Sequence, residues 1–150
     1  PRLVYKRLNW GGSPMTTRSQ KRWRQKGRQT TSPFLRLTHD VLKHPNFATL
    51  SPRATKLVLD LGVQYNGRNN GDLSAPFSQM KARGWNSSDQ LFKARKELVS
   101  RGIIKVTRQG GLNKASLFAL TWFPIDDCDG KLDIRSTNTA PHDWKQATKP

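Results

Sequence analysis

Residues 84–104 read GWNSSDQLFKARKELVSRGII, and this stretch decides the fold. Gly84 ends whatever precedes it. Asn86, Ser87 and Ser88 form a cluster of good helix N-caps, and Asp89 falls in the first turn, where the helix dipole favours a carboxylate. Leu91, Ala94 and Leu98 then make a buried stripe at helical spacing. Glu97 and Arg101 stand four apart in the favourable order for an ion pair, and Gly102 supplies the C-terminal stop.

Beyond Gly102 the period changes from helical to alternating. Residues 103–109 are β-branched and partly alternating, Gly110-Gly111 breaks the run, and 116–123 reads as a second strand with Phe118, Leu120 and Trp122 on one face. The pattern predicts a β-hairpin with a loop over residues 110–115. Upstream of Gly84, a short helix over 76–83 turns Phe77 and Met80 inward, and 72–74 is a very short strand. Before that, Ser51 is an N-cap and Pro52 occupies the first helical turn. Ala54, Leu57, Val58 and Leu61 form a core stripe that runs out near Tyr65. Asn66-Gly67 and Asn70-Gly71 punctuate the chain as turns. A first helix is expected over 34–43, stopped before His44-Pro45.

The predicted order is helix, helix, short strand, helix, tight turn, helix, β-hairpin. In that order, and in the run Leu91, Ala94, Leu98, Gly102, Ile103, Ile104 followed by residues 107–111 and 116–121, the chain resembles the winged helix-turn-helix superfamily. The resemblance spans residues 34–123 and is nearest to DNA-binding modules of bacterial, phage and plasmid regulators and replication proteins. It implies an α+β domain, mainly helical, with a C-terminal β-hairpin wing. It specifies biological role poorly, since the same fold serves RNA and protein contacts.

On a helical wheel with steps of about 100°, Ala94, Leu98, Val99 and Phe92 fall within about 100° of Leu91, and Asp89, Gln90, Lys93, Lys96 and Ser100 lie opposite. A recognition helix enters the major groove by its N-terminal turns, which puts Ser88, Gln90 and Lys93 nearest base edges. Gln can pair with adenine and Lys with the acceptors of guanine. Ser87 and the free N–H groups beside it suit a phosphate. Lys96 extends the same cationic face, which is otherwise an ordinary solvated helix surface. Arg108 and Lys114 flank the wing, residues 108–116, and the resemblance implies contacts from it to the minor groove or backbone.

Composition points the same way. The chain has 150 residues, 27 Lys and Arg against 10 Asp and Glu, a net charge of +17 and a pI of about 11.0. Such a charge is a footprint for polyphosphate, because each cation that neutralises a phosphate releases condensed counterions. Residues 1–32 hold nine basic residues and no acid, and read as a basic flexible arm. In it Arg22, Arg24 and Arg28 are minor-groove or phosphate ligands. Trp10 and Trp23 either stack on unpaired bases or, as favoured here, dock on the domain. Residues 33–124 form the domain. Residues 125–150 are a polar extension with Trp144 as a lone anchor, a place for a homodimer or other protein partner.

Other classes are excluded or poorly supported. No apolar run of about 18 residues is present, so no membrane span is expected. Cys128 is the only cysteine and suits a reducing compartment, hence a cytoplasmic, nucleoid-associated location. His39, His44 and His142 are scattered, and Asp126, Asp127 and Asp129 are out of register for a calcium loop, so no metal or other cofactor is expected. No nucleophile elbow or phosphate-loop glycine spacing appears. The expectation is a non-enzymatic duplex-DNA binder, with an RNA-binding or ribonucleoprotein adaptor as the alternative.

Overall fold

The computed structural model describes residues 32–146. The helix expected from Phe34 does not form before His39: residues 33–38 run extended. Leu35 and Leu37 lean on the core while Phe34 and Arg36 face solvent, a two-residue alternation that a helix cannot satisfy. Leu35 also fills the space over Gly62 where a Cβ would stand, and the indole of Trp122 donates to Arg36 O at 3.1 Å. Helix α1 (His39–Lys43) is therefore a single turn. It is followed at once by α2 (Pro45–Ala48), in which Pro45 takes the first position and His44 Nδ1 accepts from Asn46 N.

Helix α3 (Pro52–Gly62) starts where its capping residues place it. Ser51 Oγ accepts from Ala54 N at 3.2 Å, and Ala54, Leu57, Val58 and Leu61 are buried. After β1 (Leu73–Ser74) comes α4 (Phe77–Met80), which tightens into a 3₁₀ turn over Lys81–Arg83. Gly84 then adopts φ 87°, and Trp85 N and Gly84 N close on Met80 O and Lys81 O, the paired bonds of a Schellman stop. Helix α5 (Ser88–Ser100) is capped by Ser87 and ends the same way at Gly102, with Ile103 N on Leu98 O and Gly102 N on Val99 O.

Strands β2 (Ile104–Arg108) and β3 (Leu117–Leu120) are antiparallel, with Ile104 opposite Leu120 and Val106 opposite Phe118 before a bulge ahead of Arg108. The short β1 adds to the other side of β3, so the sheet order is β1-β3-β2, all antiparallel. The fold is thus α+β, with five α-helices among the described residues and a small three-stranded antiparallel sheet. None of these helices is long and apolar enough to cross a membrane.

Two expectations about the C-terminal half need correction. All four residues of β3 are buried, not one alternating face, because residues 125–146 pack against the sheet. Asp133 N donates to Thr107 O at 2.8 Å, His142 N to Thr121 O at 2.8 Å, and Lys105 Nζ pairs with Asp143. For the same reason residue 125 does not begin a separate polar extension. Ile125 is 2% exposed and Trp144 4%. Trp144 belongs to the main core beside α2, where Asn46 Nδ2 donates to Trp144 O and Gln146 O. At the near end, the wholly buried Asn70 exchanges hydrogen bonds with Leu120 and donates to Pro124 O. The described residues from Phe34 onward form one compact unit.

Candidate nucleic-acid interface

What holds α5 in place is a carboxylate inside the domain. Asp60, on α3, accepts from Lys56 Nζ at 2.7 Å, Arg83 Nε at 2.8 Å and Trp85 Nε1 at 2.7 Å. Burial pushes its pKa up, but the hydrogen bonds from Lys56, Trp85 and Arg83 outweigh that and hold the carboxyl below its ordinary range. The turn that launches α5 is thereby pinned to α3. A second clamp joins the helices further along, where Glu97 Oε1 and Oε2 accept from Ser51 N at 2.8 Å and Ser51 Oγ at 2.6 Å. The Glu97–Arg101 ion pair expected from spacing does not form: Glu97 turns to the half-buried N-cap residue of α3, Ser51, and Arg101 reaches Thr49 Oγ1. Between the two N-terminal halves the clamps leave a cleft of about 580 Å³, lined by Ser51, Arg53, Ser87, Gln90, Lys93 and Glu97 among others.

The expected site residues are placed unequally. Ser87 is half-buried and its hydroxyl oxygen is engaged by Gln90 N, while Ser88 is exposed. Gln90 is half-buried on the cleft side. Lys93 is exposed but its ammonium lies 2.9 Å from Asp89, so the charge it offers a polyanion is partly neutralised. Lys96 is exposed with no carboxylate within 4.0 Å among the described residues. Arg108 does not project from the β2–β3 loop: its Nη2 donates to Ala115 O at 3.0 Å and its Nε is buried without a partner, so it closes the base of the loop. Lys114 is exposed, and its backbone bonds with Gly111 tie the loop into a tight turn. Arg22, Arg24, Arg28, Trp10 and Trp23 lie outside the described residues.

Two features escaped the sequence reading. Phe92 is 54% exposed and Val99 39%, although the wheel counted both with the core. The buried sector of α5 is centred between Leu91, Ala94 and Leu98, on the Ala94 side, and Phe92 falls outside it. The guanidinium of Arg95 stands 5.7 Å from the Phe92 ring centroid. The second is Leu112, 95% exposed at the tip of the β2–β3 loop. The i, i+7 spacing of Phe92 and Val99 was a usable signal; nothing local distinguished Leu112.

The carboxylates and the thiol have structural surroundings. Asp72 pairs with Lys131, Asp126 accepts from Asn70 N, and Asp133 accepts from Gln109 N. Burial, then the neighbouring carboxylates Asp72 and Asp126, push the Cys128 thiol above its ordinary range. No group of three or more His, Cys, Asp or Glu side chains among the described residues could hold a metal ion. Comparisons with protein families, with curated proteins and with solved structures find no match for this chain.

Proposed function

We propose that this protein is a non-enzymatic, sequence-preferring duplex-DNA binder of winged helix-turn-helix type. In this reading α5 lies in the major groove and the β2–β3 loop lies on the sugar-phosphate backbone. The observation that carries it is the position of α5. Its turn is pinned through Asp60, its middle is clamped through Glu97, and the side away from the core carries Ser88, Phe92, Lys93 and Lys96 into solvent. A rigid helix with a solvent-facing cationic side on a chain of net charge +17 is suited to a phosphate-walled groove. The order α3, β1, α4, α5, β2, β3 and the sheet order β1-β3-β2 support the fold assignment. A role as regulator or replication accessory of a bacterial mobile element, on the nucleoid, follows from the resemblance described above.

The test is competition at fixed salt between unlabelled duplex DNA and structured RNA for the full chain. Duplex DNA is expected to compete better. A preference for RNA of tenfold or more, about 1.4 kcal/mol, would replace this reading with a ribonucleoprotein role.

A further inference from the structure

We infer that Phe92 is a specificity-determining residue that contacts the 5-methyl group of a thymine in the major groove. The inference rests on the duplex-DNA reading above. On the 13-residue helix α5, Phe92 shares one flank with Ser88, Lys96 and Val99, all exposed, and the carboxylate at its border, Asp89, is paired with Lys93. The opposite flank is tied to α3 or carries a carboxylate. There Gln90 faces the cleft against α3, Glu97 holds Ser51, and the exposed ammonium of Lys93 has the Asp89 carboxylate beside it at 2.9 Å. The sector of α5 that combines exposure with cations clear of any carboxylate among the described residues is therefore the Phe92 sector, rotated away from the Gln90 side that charge patterning alone would choose.

That sector has an apolar centre and a cationic border. The Phe92 ring is 54% exposed, Val99 continues it two turns on, and Arg95 and Lys96 flank it without a carboxylate within 4.0 Å among the described residues. Arg95 is half-buried, and its guanidinium lies over the ring at 5.7 Å from the centroid. A partner for this surface must be polyanionic at its edges and apolar at one small central point. A membrane or an apolar protein groove would want a broader apolar face. The edge of a base pair in the major groove meets the requirement, because the thymine methyl is its one apolar group and is flanked by phosphates.

The experiment selects bound duplexes from a random pool with the full chain, then replaces each thymine of the selected site by uracil, which removes only the methyl. Burial of one methyl corresponds to about a fourfold change in affinity. One position is expected at which uracil weakens binding about fourfold, and at which Phe92→Ala shows less than a twofold difference while Phe92→Leu retains part of it. Because Phe92 is exposed, both variants should keep the unaltered thermal transition that certifies the fold. A selected site without thymine overturns the inference and leaves the duplex reading standing. So does a site without any uracil-sensitive position, or one whose sensitivity persists in Phe92→Ala. Failure to select any duplex overturns the duplex reading itself.

Discussion

The indole N–H of Trp85 donates a 2.7 Å hydrogen bond to Asp60, a carboxylate that is 2% exposed and twenty-five residues away. The same carboxylate takes Arg83 from the turn and Lys56 from its own helix. One buried charge thus ties the turn before α5 to α3. Asp60→Asn keeps the volume and an acceptor for Trp85 but removes the charge, and should cost about 1–3 kcal/mol. The pH dependence has a definite sign. A carboxyl held below its ordinary value, about 3.9, contributes stability that is full above that value. It is lost as pH falls through the folded-state value. Denaturant melts between pH 6 and 2 should show a shallower acid loss in Asp60→Asn than in the parent; parallel curves would count against the network.

Glu97 and Arg101 separate two readings of one pair. Since Glu97 bonds Ser51 across the helix interface, Glu97→Ala should cost about 1–2 kcal/mol, as loss of a helix cap does. Arg101→Ala removes an exposed contact with Thr49 and should cost about 0.5 kcal/mol or less. Equal losses in urea titrations would favour an ion pair within α5 instead.

Glycine substitutions at the two ends of the α5 unit should differ in size. Gly84 has φ 87° with open space around it, so Gly84→Ala meets only left-handed strain of about 1–2 kcal/mol. Gly102 has φ 69°, and a Cβ there would stand 2.5 Å from Asp143 O. Gly102→Ala should add overpacking of about 1–3 kcal/mol to the same strain. Comparable melting temperatures for the two variants would mean that residue 143 does not sit against the helix end.

Salt dependence of DNA binding should rank the cations. Lys96→Ala and Lys114→Ala should each flatten the slope of log K against log salt by about 0.9, one phosphate contact. Lys93→Ala should flatten it less, because Asp89 lies 2.9 Å from that ammonium, and Asp89→Ala should tighten binding to all sequences. Arg108→Ala should act on the stability of the β2–β3 loop, not on the slope. A Lys93 effect equal to that of Lys96 would show that the Asp89 pair opens on the nucleic acid.

The legible parts of this fold were those with local chemical punctuation. Ser51-Pro52, Ser87, Gly84 and Gly102 bound their helices within a residue or so, because capping and left-handed stops depend on the residues at hand. The segment at 33–38 was misread because Phe34, Leu37 and Val41 stand at helical spacing, whereas the side chains that lean on the core are Leu35 and Leu37. Asp60, Asn70 and Trp144 were not legible as structural centres. Their distant partners lie from 23 residues away, Arg83 on Asp60, to 98, Asn46 on Trp144, and a single residue read among its sequence neighbours carries no sign of a partner so far along the chain. On α5 the sequence reading named Lys93 and Lys96 and passed over Arg95. The pairing of these cations was not legible, since whether Lys93 meets Asp89 or a solvent-facing gap is decided by rotamers and neighbours, not by spacing alone.

Strand β2 lies at the border of the sheet, where unpaired peptide groups invite another chain to add itself. The run that carries Asp133 across Thr107 and Gln109 occupies that border with one main-chain and one carboxylate bond. It acts as a guard against self-templating as well as a contributor of buried surface. A chain ending at residue 124 would bare the border together with the pocket that receives Trp144. It should then sediment as concentration-dependent oligomers at a salt concentration where the parent is a single small species. A truncated chain that stayed monomeric would relieve residues 125–146 of that duty.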